Sequence, residues 1–142
     1  QLPEFAKTAL QSAADYTKEN DGIVLTLALS YSARWEILEA TKKIAAQVQN
    51  GTLNIDNINE IVFDNSLTTI NIPDPELVIR TSGEYRISNF LLWQIAYSEF
   101  YFTDTLWPDF DENEFNKAIE DYKKRERRFG KTGEQLKSVQ NQ

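Results

Sequence analysis

The chain has 142 residues, 41% of them hydrophobic and 26% charged, which is the composition of a soluble globular protein. The 15 basic and 22 acidic residues give a net charge of −7, which argues against a nucleic-acid interface. Cysteine and histidine are both absent, which excludes a disulfide and a serine–histidine–aspartate triad. A bound metal would therefore need oxygen ligands, as Mg²⁺ and Ca²⁺ prefer. No apolar run approaches the ~20 residues of a bilayer-spanning helix.

The first third of the chain predicts two helices and one strand. Apolar residues recur at helical spacing over residues 2–20. The run IVLTLAL, residues 23–29, is almost continuously apolar and rich in strand formers, which predicts a central parallel strand covered on both faces. A turn and a second helix over Ala33–Gln49 follow. We interpret Arg34 and Glu36, near the start of that helix, as structural residues.

The rest of the chain predicts two more strands and two more helices. Strands are recognised by β-branched and aromatic residues, and helices by apolar residues three to four positions apart. The first predictions in chain order are one or two helical turns within residues 54–67 and a strand at 76–81 with Leu77, Val78 and Ile79 buried. A helix at 89–98 and a strand at 100–103, which could begin at Glu99, follow. The last predictions are a turn at Trp107 and Pro108 and a helix at 111–127, with Asp109 and Asp111 as candidate caps.

Strands that alternate with helices predict right-handed βαβ units and a parallel sheet flanked by helices, an α/β fold. The three predicted strands are few against the ~5–6 of a typical sheet. An exposed edge strand as long and apolar as residues 23–29 is also a liability that folded proteins normally cover. We therefore expect that N-terminal strands of the fold are missing from this chain.

The chemistry of the chain is concentrated in the loop after the strand predicted at residues 76–81. Arg80 and Arg86 lie six residues apart with Gly83 between them, and Ser88 and Asn89 follow. Guanidinium groups offer forked donors to a phosphate or diphosphate, and a glycine lets backbone N–H groups approach the anion. We expect both arginines in one crevice at the carboxyl end of the strand, with Ser88 or Asn89 capping the next helix. The alternative is a surface loop whose arginines pair with nearby carboxylates.

Four segments of the chain resemble the signatures of one family. RTSGEYRISNFLLWQIAYSEF (residues 80–100) and LWPDF (residues 106–110) resemble the C-terminal signature of the cis-prenyltransferases, the family of bacterial undecaprenyl diphosphate synthases. LALSYSARWEI (residues 27–37) resembles the family's strand-to-helix turn, and RRFGK (residues 127–131) resembles its Arg-x-Gly tail. The resemblance covers nearly the whole chain and implies a Rossmann-like α/β fold.

Three residues and one absent motif depart from the family pattern. Ser82 stands where the family has a glycine, and Ser32 and Ala33 replace a glycine pair. The family's Asp-Gly-Asn-Gly-Arg-Trp motif, which holds the allylic diphosphate and its metal, does not occur in this sequence. The resemblance therefore implies that residues 1–142 are the C-terminal portion of a single cis-prenyltransferase domain, with a flexible tail at residues 131–142.

The resemblance implies an enzyme that condenses isopentenyl diphosphate with an allylic diphosphate, such as farnesyl diphosphate. The expected product is a long-chain polyprenyl diphosphate, undecaprenyl diphosphate for the cell-wall lipid carrier, and the expected cofactor is Mg²⁺. We expect a cytoplasmic homodimer that contacts the inner face of the membrane through its product, and we expect this chain alone to be inactive. A non-catalytic partner subunit and a diphosphate-binding module of the same fold stay open as alternatives.

Six residues match functional positions of the family. The five that match its isopentenyl diphosphate site are Arg80, Arg86, Ser88, Arg128 and Gly130. The last two belong to the tail that reaches across the family's dimer to the partner's diphosphate. Glu99 matches a family carboxylate near the metal or at the dimer interface, and a carboxylate oxygen suits Mg²⁺.

Overall fold

The structure, a computed structural model, describes residues 2–125. The chain divides into two units, Gln1–Ser32 and Ala33–Gln142. The helices and strands are α1 Glu4–Thr17, α2 Ala33–Gln49, α3 Glu60–Asp64, β1 Leu77–Arg80, β2 Glu99–Phe102 and α4 Glu112–Lys123, with 3-10 turns at Ile55–Asn57 and Trp107–Asp109. No helix within residues 2–125 combines the length and the apolar composition that crossing a membrane requires.

The first unit contains one regular element. Helix α1 follows Pro3, is shorter than the helix predicted over residues 2–20, and has no buried residue. Residues 23–29 form no strand, so that prediction is wrong. Ile23 is 99% exposed and Val24 is 87% exposed. A buried strand needs a neighbour for its backbone hydrogen bonds and layers over both faces, and residues 2–32 supply neither.

The second unit holds the parallel sheet. Strands β1 and β2 pair in parallel, with Leu77 opposite Glu99 and Arg80 opposite Phe102. The predicted second and third strands and their parallel arrangement are confirmed, and these two strands make up the sheet within residues 2–125. All residues of β1 are half-buried, so the prediction that Leu77 and its two neighbours are buried is wrong. Within residues 2–125 each strand pairs along one edge, and the layers over the sheet cover the side chains of both strands only in part.

Residues 89–98 form a series of turns, so the prediction of a helix there is wrong. Ser88, Asn89 and Leu91 have positive φ angles of 49°, 62° and 48°. These left-handed residues interrupt the right-handed backbone that a helix needs. The Ile95 N–H donates to the Leu91 carbonyl at 3.0 Å, as in a helix, but the bonds that follow reach back only three residues.

Helix α2 occupies the predicted residues, and its buried Glu36 side chain accepts several hydrogen bonds. The buried apolar residues of the described chain are Ala33, Ala40, Ile44, Leu67, Ile95 and Ala118. Glu36 is only 1% exposed. Its carboxylate accepts hydrogen bonds from the Thr68 N–H at 2.9 Å, from the Thr68 hydroxyl, and from the Gln94 amide at 3.0 Å. Glu36 therefore has a structural role, as predicted, and joins α2 to two distant segments.

Helix α4 begins at a capped end. The Asp111 carboxylate accepts the Glu114 N–H at 3.0 Å, which confirms Asp111 as a cap. This hydrogen bond holds the pKa of Asp111 below its ordinary value of 3.8. The helix ends at Lys123, short of the predicted end at residue 127, which lies outside the described residues. The short helical turns predicted within residues 54–67 are confirmed.

Candidate functional site

The loops after β1 and β2 are bonded to each other at the carboxyl ends of the strands. The Thr103 N–H donates to the Arg80 carbonyl at 3.0 Å, which extends the strand pairing by one bond. The Ser82 N–H then donates to the Thr105 carbonyl at 2.9 Å. Backbone hydrogen bonds therefore fix the start of the loop after β1 to the loop after β2.

Gly83 is required by the geometry of this loop. Its φ angle is 64°, and a Cβ at this position would lie 3.0 Å from a carboxylate oxygen of Asp104. The Gly83 N–H donates to the Thr103 carbonyl at 3.0 Å. The Gly83 N–H is therefore already bonded, and the prediction that this glycine lets other backbone N–H groups approach an anion stays a prediction.

Arg80 and Arg86 line the same pocket, which has a volume of about 240 Å³. The remaining lining residues are all apolar: Val78, Ile79, Ile87, Phe90, Phe100 and Phe102. The prediction that both arginines reach one crevice beside the carboxyl end of β1 is confirmed. We call this cavity the arginine pocket. Positive charge beside an apolar wall suits a ligand with an anionic head and a hydrocarbon tail.

The two arginines of the pocket differ in their partners. The Nε atom of Arg80 is buried and has no hydrogen-bond partner among the described residues. A buried donor without a partner is unfavourable by about 1–3 kcal/mol, and a hydrogen bond to a ligand oxygen would remove that unfavourable free energy. The Arg86 side chain is 66% exposed and pairs with Glu84, as the surface-loop alternative predicted. Such exposed pairs contribute only about 0–1 kcal/mol, so a diphosphate can replace Glu84.

Ser88 and Asn89 lie in a turn rather than at the start of a helix. The Asn89 carbonyl accepts the Ala33 N–H and its Oδ1 accepts the Arg34 N–H, each at 3.0 Å. The prediction that one of these residues caps the following helix is therefore wrong: Asn89 caps α2 instead. Ser88 is exposed and is not among the residues that line the arginine pocket.

Glu99 is the first residue of β2, at the opposite end of the paired strands from Arg80. It pairs with Leu77 at the start of the strands, three residues from the Arg80 level, a separation of roughly 10 Å. Its carboxylate accepts a hydrogen bond from Arg125 at 2.9 Å, and this bond raises the pKa of Arg125 above its ordinary value. Within residues 2–125 no group of three or more potential metal ligands forms. The described residues therefore place no acidic cluster around Glu99, and its role as a metal ligand stays a prediction.

Two features of this region were not predicted from the sequence. Arg125 partners Glu99, but a basic residue at the end of α4 is equally typical of dipole complementarity, so the pattern carried no signal. Asn89 contacts a helix 55 positions away, and an asparagine before an apolar run indicates a local cap instead. Arg128 and Gly130 lie outside the described residues, so their roles stay predictions.

A parallel sheet with an arginine-lined pocket at its carboxyl end is typical of an α/β protein that binds a phosphate-bearing ligand. Over residues 1–130 the chain matches the family model described as putative undecaprenyl diphosphate synthase. The chain therefore belongs to the prenyltransferase family of the undecaprenyl diphosphate synthases, which confirms the resemblance noted in the sequence.

Known proteins similar to this chain carry related names. The isoprenyl transferase of Chlorobaculum tepidum is 53% identical over 96% of this chain and 52% of its own length. The ditrans,polycis-undecaprenyl-diphosphate synthase of Aliivibrio fischeri, specific for (2E,6E)-farnesyl diphosphate, is 48% identical over 92% of this chain and 51% of its own length. The crystal structure of lavandulyl diphosphate synthase from Lavandula x intermedia, in complex with dimethylallyl diphosphate, is 43% identical with a TM-score of 0.86.

Coverage is unequal between this chain and its relatives. The match to the lavandulyl diphosphate synthase covers 92% of this chain and 56% of that one. The chain spans about half the length of the curated relatives it matches. The similarity confirms the α/β class and the cis-prenyltransferase fold for the part that is present.

Proposed function

We propose that the complete protein is a cis-prenyltransferase that condenses isopentenyl diphosphate with an allylic diphosphate such as farnesyl diphosphate. The product is a long-chain polyprenyl diphosphate, and undecaprenyl diphosphate for the cell-wall lipid carrier is the form we propose. The observation that carries the proposal is the arginine pocket, where two arginine residues and an apolar wall line one cavity of about 240 Å³. The names of the relatives support the same reaction class.

The arginine pocket suits isopentenyl diphosphate because that ligand is anionic at one end and hydrocarbon at the other. Hydrogen bonds from arginine to a charged oxygen are each worth about 1.5–3 kcal/mol, enough for two side chains to orient the substrate. The unpartnered Arg80 Nε supplies one donor, and Arg86 supplies more once it leaves Glu84. Phe90 and Phe102 would contact the hydrocarbon part. Ser88 is an additional donor that we place beside this pocket.

These residues would hold the diphosphate that stays with the product. In the proposed reaction the allylic C–O bond breaks and its diphosphate leaves with the electron pair. The allylic carbon then bonds to the terminal alkene carbon of isopentenyl diphosphate, which loses a proton. The role of Arg80 and Arg86 is to fix the acceptor alkene at the correct distance and orientation, which converts an encounter of two substrates into an intramolecular step.

We propose Mg²⁺ as the cofactor, which when bound neutralises charge on the leaving diphosphate. Glu99 is the candidate ligand in this chain. Its ion pair with Arg125 does not fit a magnesium site by itself, because Mg²⁺ needs several oxygen ligands. The other ligands would have to be substrate phosphates or groups beyond residues 2–125. Release of Glu99 from Arg125 would be required for direct coordination.

We propose that the active form is a homodimer in the cytoplasm. The tail residues Arg128 and Gly130 would reach the partner's diphosphate, and the hydrocarbon product would bring the dimer to the inner face of the membrane. A non-catalytic partner subunit is the second candidate, and the ion pair that occupies Glu99 favours it. Such a subunit would bind diphosphate without turnover.

The proposal is tested by Arg86→Ala in the complete protein. Loss of one charge-assisted contact should raise the KM for isopentenyl diphosphate roughly 10- to 100-fold and change the KM for the allylic substrate by less than about twofold. Lys117→Ala is the matched control, because Lys117 is also an exposed cation, 63% exposed, paired with Glu114. Steady-state kinetics with each substrate varied in turn give both constants.

Equal rises in the two KM values would show that the arginine pocket is not specific for isopentenyl diphosphate. Unchanged constants for Arg86→Ala would remove the residue from the site. A wild-type protein that binds isopentenyl diphosphate but shows no turnover with both substrates and Mg²⁺ would favour the non-catalytic subunit.

A further inference from the structure

Asn89 connects the loop of the arginine pocket to helix α2. Its carbonyl and its Oδ1 accept the first two N–H groups of that helix, those of Ala33 and Arg34. The first four N–H groups of a helix have no partner inside the helix, and the capping side chain normally belongs to the residue just before it. Here a residue 55 positions away supplies the cap, so the contact joins two parts of the fold.

The same residue lies in the turn that follows Arg86. The Phe90 N–H donates to the Ile87 carbonyl at 3.0 Å, which closes a turn with Ser88 and Asn89 at its centre. Both central residues are left-handed, an arrangement that suits asparagine but is unfavourable for serine. A strained conformation of this kind persists only where surrounding contacts hold it. Ile87 and Phe90, which close the turn, both line the arginine pocket.

We infer that Asn89 is a positioning residue for the diphosphate site, an inference that rests on the proposed function. Asn89 does not line the arginine pocket. It holds the turn of residues 87–90 against the start of α2. The position of this turn sets the positions of Arg86, which precedes it, and of Ile87 and Phe90 in the pocket wall. The exposed pair with Glu84 gives Arg86 little fixation of its own, so the backbone of the loop sets where its guanidinium lies.

Helix α2 is also held by contacts that do not involve Asn89, so a positioning role of Asn89 can be distinguished from a role in keeping the helix folded. Glu36 ties the same helix to Thr68 and Gln94 from inside the core. We therefore expect loss of the Asn89 side-chain bond to leave α2 in place and the turn less firmly held, by the backbone bond to Ala33. The expected consequence is weaker binding of the diphosphate with a largely unchanged fold.

Three variants of the complete protein test the inference. Asn89→Gly keeps the left-handed backbone and removes the side chain whose Oδ1 caps α2, whereas Asn89→Asp keeps an acceptor that a helix N-terminus favours. Asn71→Gly is the matched control, because Asn71 is also left-handed, with φ 69°, and is not among the lining residues of the arginine pocket. Binding of inorganic diphosphate by calorimetry, the KM for isopentenyl diphosphate and kcat are measured for each variant.

Asn89→Gly should weaken diphosphate binding and raise the KM about tenfold, a factor that corresponds to about 1.4 kcal/mol, with kcat within about twofold of the wild type. Asn71→Gly should bind as the wild type does, and Asn89→Asp should retain the cap of α2. Amide hydrogen exchange at Arg34 should become faster in Asn89→Gly, which reports the loss of the cap itself. A merely structural role would lower kcat through the active fraction and leave the KM unchanged.

The inference is overturned by Asn89→Gly binding inorganic diphosphate as tightly as the wild type. Absence of prenyl transfer in a wild type that binds inorganic diphosphate overturns the proposed enzyme but leaves this comparison intact. Absence of diphosphate binding by the wild type overturns both.

Discussion

Residues 23–29 and residues 77–80 have similar apolar, strand-forming sequences, but only the second stretch forms a strand. Leu25 in the first stretch is 79% exposed and Leu27 is 55% exposed. The second stretch is β1, which is half-buried and paired with β2 along its whole length. Strand propensity reflects fit to a paired and partly covered surface, so the neighbour decides whether the preference is realised.

The same contrast separates the helices of the two units. Helix α1 has no buried residue, whereas α2 buries Ala40, Ile44 and Glu36. In the first unit, α1 and residues 23–27 border an open groove of about 570 Å³ with many apolar residues on its wall. The second unit buries these side chains and satisfies a buried carboxylate with hydrogen bonds. We therefore expect mutational sensitivity to be concentrated in residues 33–125.

The largest expected difference involves one carboxylate from each unit. Glu36→Ala leaves the donors of Thr68 and Gln94 unpaired in the core, which should lower the free energy of unfolding of the chain by about 4 kcal/mol. Glu4→Ala removes an 84% exposed side chain that pairs with Lys7, and the unfolding midpoint should not change measurably. Urea denaturation of both variants measures the difference, and Glu36→Gln is the control that keeps the shape and one acceptor oxygen.

Equal losses in the free energy of unfolding for Glu36→Ala and Glu4→Ala would contradict the expected difference between the two units. It would mean that the Glu36 network contributes no more than an exposed ion pair does.

A smaller difference is expected for apolar truncations. Ile44→Ala in α2 removes a side chain that is 5% exposed, so the free energy of unfolding should fall by about 3 kcal/mol. Leu25→Ala removes a side chain that is 79% exposed, so the change should be below about 0.5 kcal/mol. The same urea experiment on the 142-residue chain applies. A loss of 2 kcal/mol or more at Leu25 would show that residues 23–29 are covered after all.

Much of the fold could be predicted from local patterns. Helix α2, the Asp111 cap and the parallel strands β1 and β2 follow from periodicity and composition, which act over neighbouring residues. The strand at residues 23–29 was predicted wrongly because its pattern reports a preference for burial and not the presence of a covering layer. The helix at residues 89–98 was predicted wrongly because left-handed residues, held by distant contacts, override the local preference.

The candidate site was predictable in part. The spacing of Arg80 and Arg86 indicated a shared crevice, because Arg80 ends one strand and Arg86 lies in the loop that follows it. The bonds that use the Gly83 N–H and the Asn89 side chain join loops far apart in sequence, so no short motif could reveal them. The distance between Glu99 and Arg80 along the strands depends on strand register, which the sequence left open.

The central claim is that the arginine pocket accepts a diphosphate that carries a short hydrocarbon. Calorimetric titration of the complete protein with isopentenyl diphosphate, inorganic diphosphate and ADP tests it most directly. We expect isopentenyl diphosphate to bind at least about tenfold more tightly than either of the other two, because its hydrocarbon part buries apolar surface against the pocket wall. Binding of ADP as tightly as isopentenyl diphosphate would contradict the claim and indicate a general phosphate site.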